Sequence, residues 1–241
     1  ERCFVGVITF NGIASDKLGI QVEHPPGYET PKKDYEIVHV PGRNGDVYID
    51  KGSYQNVSRT YDIAIGSLDA DFTEIANKIS EWLYASVGYT RLEDTYEPDY
   101  YRLAAYSDAT DIKNILTHAG RVTIAFDCKP QRFLKSGEKS VTFTTKGTLS
   151  NPTKFESLPT IIVKGSGKGV LQIGKYTVTI SDINSLVTID CELQDAYNGT
   201  ANRNSTITLS NGFPKLVSGT NSIAFSGGIT SVEVIPKWWT L

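Results

Sequence analysis

Cysteine is scarce in this chain and widely scattered: Cys3, Cys128 and Cys191 make an odd count of three in 241 residues. That spacing builds neither a disulfide framework nor a thiolate metal site, so reduced thiols from folding in a cytosol are expected. Long apolar runs are missing too. The longest cover only a few residues, far short of the roughly 20 that a membrane helix needs, and the first residues carry no apolar core of a signal peptide. Neither export nor a membrane anchor is expected of the residues given, which begin at Glu1 rather than Met. Charge of one sign is equally lacking. Lys and Arg total 24 against 27 Asp and Glu, a net −3, which leaves no basic footprint for specific nucleic-acid binding. There is no low-complexity tract and no long internal repeat. Hydrophobic residues at 39% and charged residues at 21% describe a soluble globular protein.

Patterns that carry chemistry are missing in the same way. His24, His39 and His118 stand singly, without a metal-type partner nearby, a nucleophile elbow or a Cys–His signature. Gly165-Ser166-Gly167-Lys168-Gly169 has the outline of a phosphate-binding loop. The full pattern wants Gly where Ile162 stands, Ser or Thr where Gly169 stands, and a helix where a strand is expected. It therefore reads as a hairpin turn. Glu93, Asp94, Glu97 and Asp99 could supply a carboxylate pair for glycoside hydrolysis or oxygen ligands for a cation. Their spacing fits no calcium loop, and a solvated acidic face is the ordinary reading. No catalytic residue, cofactor or metal is expected. Three sequons, at Asn56, Asn198 and Asn204, carry no meaning without secretion.

What is present is mostly strand. The length makes two compact units the default. Short strands are expected over Val5 to Phe10, before the Asn11-Gly12 turn, and over Leu18 to Val22. Tyr61 to Ile65 and Arg121 to Cys128 alternate with period two, the latter with Val122, Ile124, Phe126 and Cys128 on one side. One helix is expected, from Asp71 to about Ser86, because Phe72, Ile75, Ala76, Ile79, Trp82 and Leu83 recur at three- and four-residue steps. Asp71 with Glu74 suits a capping box and Gly88 a stop. The polar stretches Lys129-Pro130 and Lys135-Ser136-Gly137-Glu138 form a break, which gives an N-terminal domain of residues 1–136 and a C-terminal domain of residues 137–241. Beyond the break no helical stripe occurs. Short strands recur between turn signals, with Gly174-Lys175 as a two-residue hairpin turn, and predict an all-β sandwich or jelly roll.

Two features stand out as candidates for contact. The first is Val40-Pro41-Gly42-Arg43-Asn44-Gly45-Asp46, flanked by the β-branched and aromatic residues of Ile37 to Val40 and Val47 to Ile49. Pro, two Gly and Asn supply a tight turn, and Arg43 at its tip is a long cation on a rigid support. Pro41, Gly42, Arg43, Asn44, Gly45 and Tyr48 are the candidate protein-interface residues. The second is the aromatic set Tyr197, Trp238 and Trp239. Adjacent residues on a strand point to opposite faces, so one Trp belongs in a core and the other at an edge, an interface or a ligand. That set defines an alternative function, a carbohydrate-binding module contacting the bacterial cell wall.

Several short motifs occur in a telling order: Phe10-Asn11-Gly12 with Leu18-Gly19-Ile20; Val40-Pro41-Gly42-Arg43-Asn44-Gly45; Trp82-Leu83 ahead of Gly88-Tyr89; Asp94-Thr95-Tyr96-Glu97-Pro98-Asp99-Tyr100-Tyr101-Arg102; Phe126-Asp127-Cys128-Lys129-Pro130; Asn151-Pro152-Thr153; and Ile235-Pro236-Lys237-Trp238-Trp239. Together they make the chain resemble the distal tail protein (Dit) family of long, non-contractile-tailed phages of Gram-positive bacteria and their prophages. The resemblance runs through both halves. It implies a mainly β protein: an N-terminal β-sandwich with one α-helix and a β-hairpin, packed around a six-fold axis, and a C-terminal galectin-like or jelly-roll β-sandwich outside the ring. It further implies a non-enzymatic hub at the virion tail tip, made in the host cytoplasm. Its implied partners are five further copies of the chain, the tail tube protein, the tail-associated fibre or lysin protein and, in some relatives, a receptor-binding protein. The resemblance also implies that DNA passes through the lumen without specific binding. The slight acidic balance suits that passage, since holding phosphate takes clustered Lys and Arg, and cyclic assembly suits a chain with two different contact patches.

Overall fold

The computed structural model describes residues 6–27, 29–65, 72–106 and 121–241. It is mainly β, with one α-helix among the described residues. The chain folds as two compact units, the first formed by Glu1–Arg132 with Leu241 and the second by Phe133–Thr240. The division falls inside a strand and ahead of the polar break at Lys135–Glu138, which forms a short 3-10 turn. Among the described residues no helix is long and apolar enough to cross a membrane.

The first unit contains β1 (Ile8–Phe10), β2 (Ile13–Ala14), β3 (Ile20–Val22), β4 (Lys33–Val38), β5 (Val47–Tyr54), β6 (Val57–Ile65), α1 (Phe72–Tyr84), β7 (Thr90–Asp94) and β8 (Tyr100–Ala105). It shares the long β9 (Arg121–Leu134) with the second. The main sheet runs β2-β1-β7-β8-β9-β6-β3. Its far strand comes back to its start, because Val22 on β3 exchanges backbone hydrogen bonds with Gly6 just ahead of β1, at 3.1 and 3.2 Å. A sheet curled this far encloses an apolar interior with few free edges. The alternation read along β9 sets its inner face: Val122, Ile124, Phe126 and Cys128 are all buried. Strand β9 runs on through Lys129 and Pro130 to Leu134, so these residues do not break it.

Helix α1 supplies the lid of this core. Ala76, Ile79, Trp82 and Leu83 are buried and Ile75 is half-buried against them, as the 3.6-residue spacing predicts. Trp82 stands edge-on to Phe10 at 6.2 Å and donates its Nε1–H to the Phe10 carbonyl at 2.9 Å, which fixes the helix to β1. Phe10 in turn packs on Phe126 of β9 at 4.8 Å. On the outer face Lys78 pairs with Glu74 one turn earlier at 2.6 Å. The capping residue expected at Asp71 lies outside the described residues, as do Cys3 and His118.

The second unit comprises β10 (Val141–Phe143), β11 (Gly147–Asn151), β12 (Thr160–Ile173), β13 (Tyr176–Ile180), β14 (Ser185–Asp190), β15 (Asp195–Asn198), β16 (Ala201–Asn202), β17 (Ile207–Ser210), β18 (Gly219–Ile235) and β19 (Trp239–Thr240). Two of its strands are long. β12 joins Thr160–Val163 to Val170–Ile173, and β18 joins Ser222–Phe225 to Ser231–Ile235; the two pair with each other along their length. β14 pairs with the first half of β12 and β13 with the second. The long ladder thus belongs to two layers, and it bends between them at the glycines.

That bend corrects the reading of Gly165–Gly169 as a hairpin turn. The stretch lies within β12, opposite Gly227 and Gly228 of β18, where the register shifts. A Cβ on Gly165 would stand 2.0 Å from the Gly228 carbonyl oxygen, and one on Gly228 would stand 1.7 Å from that of Ser166. Backbone meets backbone here without room for a side chain, the condition in which a strand bulges and turns a corner. Gly174-Lys175 does form the predicted hairpin turn, with Ile173 paired to Tyr176. The core holds Ile161, Val163, Leu171, Ile173, Val178, Val187, Ile189, Val232 and Val234, with Trp238 against them.

Candidate functional site

Strands β4 and β5 form a two-stranded ribbon that pairs with no third strand among the described residues. Tyr35 opposes Asp50 and Ile37 opposes Tyr48 on one face, while Glu36 opposes Ile49 and Val38 opposes Val47 on the other. Ile37 and Tyr48 are 57% and 62% exposed, and Tyr35, Val40 and Ile49 are exposed beside them. Tyr35 and Tyr48 meet edge to face at 5.7 Å. A lone ribbon of this kind is marginal in water, and a run of exposed apolar side chains on both faces marks a surface shaped for contact.

Polar links hold the ribbon's geometry. Lys33 of β4 forms an ion pair with Asp50 of β5; the hydrogen bond to Asp50 lifts the Lys33 ammonium above its ordinary range, and the same bond depresses the Asp50 carboxyl. Asp50 also accepts the Gly52 N–H at 2.9 Å. At the other end His39 Nδ1 lies 3.1 Å from Asp46 Oδ1, across the neck of the loop. Between them Arg43 N–H donates to the Val40 carbonyl at 3.1 Å. Gly42 and Gly45 have φ of 82° and 81° and stand either side of Arg43-Asn44, a conformation other residues adopt only with strain. The connection runs over residues 39–46, so it is a loop built on a turn rather than a minimal two-residue one.

The structure places Pro41, Gly42, Arg43, Asn44 and Gly45 together on this loop and Tyr48 on β5, all exposed. The Arg43 side chain has no ion pair or hydrogen bond among the described residues. Sequence reading named Tyr48 but missed Tyr35 and Ile37 beside it. Their signal was available: apolar residues alternate along β4, yet nothing in the neighbouring sequence gives that face a core.

The carbohydrate set fares differently. Tyr197 is half-buried on β15. Trp238 is 5% exposed and belongs to the core of the second unit, so its ring offers no face for a sugar. Trp239 is half-buried, stacks on Phe155 at 4.5 Å and donates Nε1–H to the Glu156 carbonyl at 2.9 Å. The three aromatics make no ring contact with one another among the described residues.

The acidic segment is not the solvated face expected of it. Asp94 and Glu97 have side chains only 5% and 10% exposed, and they receive three guanidinium groups. Arg59 of β6 donates from Nη2 to Asp94 Oδ2 at 3.2 Å and to Glu97 Oε2 at 3.0 Å. Its Nη1 donates to the Gly27 carbonyl at 3.1 Å. Arg102 of β8 reaches Glu97 Oε2 at 3.4 Å and Arg132 of β9 reaches Oε1 at 2.5 Å. Tyr61 donates its hydroxyl to Asp94 Oδ2 at 2.7 Å, while Asp94 Oδ1 accepts the N–H groups of Tyr96 and Glu97. Burial, reinforced by Asp94, pushes the Tyr61 hydroxyl well above its usual range. Burial also opposes the charge on Arg59, but Tyr61, Asp94 and Glu97 outweigh it and hold that guanidinium above its ordinary value. On Arg102 burial and the repulsion of Arg59 prevail and lower it. This arrangement ties strands together and leaves its carboxylates fully engaged by cations. Among the described residues no group of three or more His, Cys, Asp or Glu is arranged to hold a metal ion.

No family model and no curated protein matches the sequence. Among solved structures, the Dit protein of phage SPP1 superposes with a TM-score of 0.75, covering 98% of this chain and 100% of that one at 15% identity. The fold is that of SPP1 Dit. At this identity the likeness is one of architecture, and its coverage shows that the Dit fold takes in both units of this chain. SPP1 Dit is itself described as a paradigm of the hub adsorption apparatus in phages that infect Gram-positive bacteria.

Proposed function

We propose that this chain is a structural, non-enzymatic protein of a phage tail tip, in which six copies form a hub ring. The observation that carries this reading is the end-to-end match to the fold of SPP1 Dit, with no domain of either chain left over. The ribbon β4–β5 supports it. A two-stranded sheet with Ile37, Tyr48 and Tyr35 exposed gains most by lying against a neighbouring copy, and heterologous contacts of that kind close into rings. In this reading the first unit forms the ring. One ring face joins the tail tube protein, the other joins the tail-associated fibre or lysin protein, and DNA crosses the lumen. The second unit is available to receptor-binding proteins. The protein resides at the virion tail tip after synthesis in the host cytoplasm.

Light scattering over a wide concentration range, paired with pull-down of the tail tube subunit, tests the proposal. Oligomers that bind tube subunits support it. A strict monomer that ignores the tube subunit overturns it.

A further inference from the structure

At one end of the second unit three connections converge on an open pocket of about 530 Å³: the β12–β13 turn, the turn at 191–194 between β14 and β15, and the stretch that follows β17. That volume lies in the range of small-molecule sites. Its lining includes two cationic residues, Lys175 and Lys215, two aromatic ones, Tyr176 and Phe213, and two that carry amides, Gln194 and Asn211; among the described residues no Asp or Glu lines it.

The pocket is held in shape by specific means. Asn211 Nδ2 donates to the Lys175 carbonyl at 2.8 Å, which ties two of the three connections together. Gln194 and Asn211 both have positive φ, 55° and 68°. Asn tolerates that region, whereas Gln gains nothing from it locally, and residues kept in such conformations gather where a ligand is clamped. Lys175 Nζ sits 5.4 Å from the centre of the Tyr176 ring, and both residues line the pocket. Lys215 reaches Glu156 Oε2 at 3.3 Å, an exposed pair that contributes little and yields readily to a stronger anion.

We infer that this pocket binds a phosphorylated sugar. Two ammonium groups match a phosphate dianion, since charge-assisted hydrogen bonds to phosphate oxygens are the strong ones. The two amides offer both donors and acceptors to hydroxyl groups, and Phe213 gives the apolar face of a sugar ring a surface to cover. The site is separate from Trp238 and Trp239, whose rings are taken up by the core and by Phe155. It is also independent of the hub reading, because every residue in it belongs to the second unit.

Calorimetric titration of the full chain with glucose 1-phosphate, glucose and inorganic phosphate tests the inference, alongside Lys175→Gln/Lys215→Gln. Thermal melting confirms that the variant is folded. The expected result is saturable binding of glucose 1-phosphate, at least about tenfold tighter than either glucose or phosphate alone and weakened at least about tenfold by the double substitution. Three results overturn it: no binding of glucose 1-phosphate up to about 10 mM, equal binding of one of the two fragments, or binding that the folded variant retains in full.

Discussion

Arg59 and Glu97 form a buried ion pair, with Nη2 3.0 Å from Oε2 and side chains 2% and 10% exposed. Around that pair lie Asp94, Arg102 and Arg132, drawn from β7, β8 and β9, so one polar cluster links neighbouring strands that are far apart in sequence. Burying these charges is costly, and the geometry offsets the cost only while every partner remains in place. Glu97→Gln removes the carboxylate charge that Arg59, Arg102 and Arg132 share and leaves Asp94 to pair with Arg59 alone. It is expected to destabilise the first unit by about 3–5 kcal/mol, read as a lower urea midpoint with an unchanged slope. Arg59→Met should cost a similar amount, and a double-mutant cycle between the two should show coupling well above about 0.5 kcal/mol.

Alkali should destabilise the protein through three buried groups that stay protonated at neutral pH. Burial pushes the Cys128 and Cys191 thiols from 9.0 up to about 12, and Tyr61 is raised above its ordinary 10.0. The unfolded chain releases these protons at lower pH than the folded chain does. Stability is therefore complete below about pH 9 and falls as the pH climbs toward 12, by about 1.4 kcal/mol per pH unit for each thiol. Chemical denaturation at a series of pH values checks this. Cys128→Ala should flatten the alkaline limb even if it lowers stability at neutral pH.

The glycine crossing in the second unit makes a sharper demand. Gly228→Ala places a Cβ 1.7 Å from the Ser166 carbonyl oxygen, and two backbones must separate to admit it. A loss of more than about 3 kcal/mol is expected, beyond the usual range for overpacking. Gly27, around which a Cβ meets nothing within 4 Å, should accept Ala with a change within about 0.5 kcal/mol. Paired melting curves of the two variants decide it.

How much of this was legible in the sequence depends on where each signal lay. Local periodicity located α1 through Ile75, Ala76, Ile79, Trp82 and Leu83, and β9 through Val122, Ile124, Phe126 and Cys128, because burial of one face writes itself into adjacent residues. Pairing across distance left fainter marks. Asp94 and Glu97 look like a solvated acidic loop until Arg59, Arg102 and Arg132 are brought to them by strand order, which no spacing encodes. Gly165, Gly167 and Gly169 imitate a turn because their counterparts, Gly227 and Gly228, come some sixty positions later. Two glycine groups, each interrupting an alternating run, were a readable hint of a bulged corner. On the hairpin, Arg43 drew notice as a tip charge, whereas the alternation that carries Tyr35 and Ile37 gains its meaning from β4 having no third strand beside it among the described residues.

In the proposed hub ring, that hairpin is the surface through which copies would meet. Arg43→Glu and Tyr48→Asp alter exposed side chains, so each should shift the melting temperature little, within about 0.5 kcal/mol. Both should weaken association between copies, Tyr48→Asp more strongly because it places a charge in the apolar patch shared with Ile37 and Tyr35. Sedimentation velocity of the variants beside the parent chain reads the difference directly.

Electron microscopy of the purified full chain tests the hub ring itself. Closed rings with six-fold symmetry, dispersing to monomers in Tyr48→Asp, are the predicted result; isolated monomers at every concentration, or rings unaffected by that substitution, would contradict it.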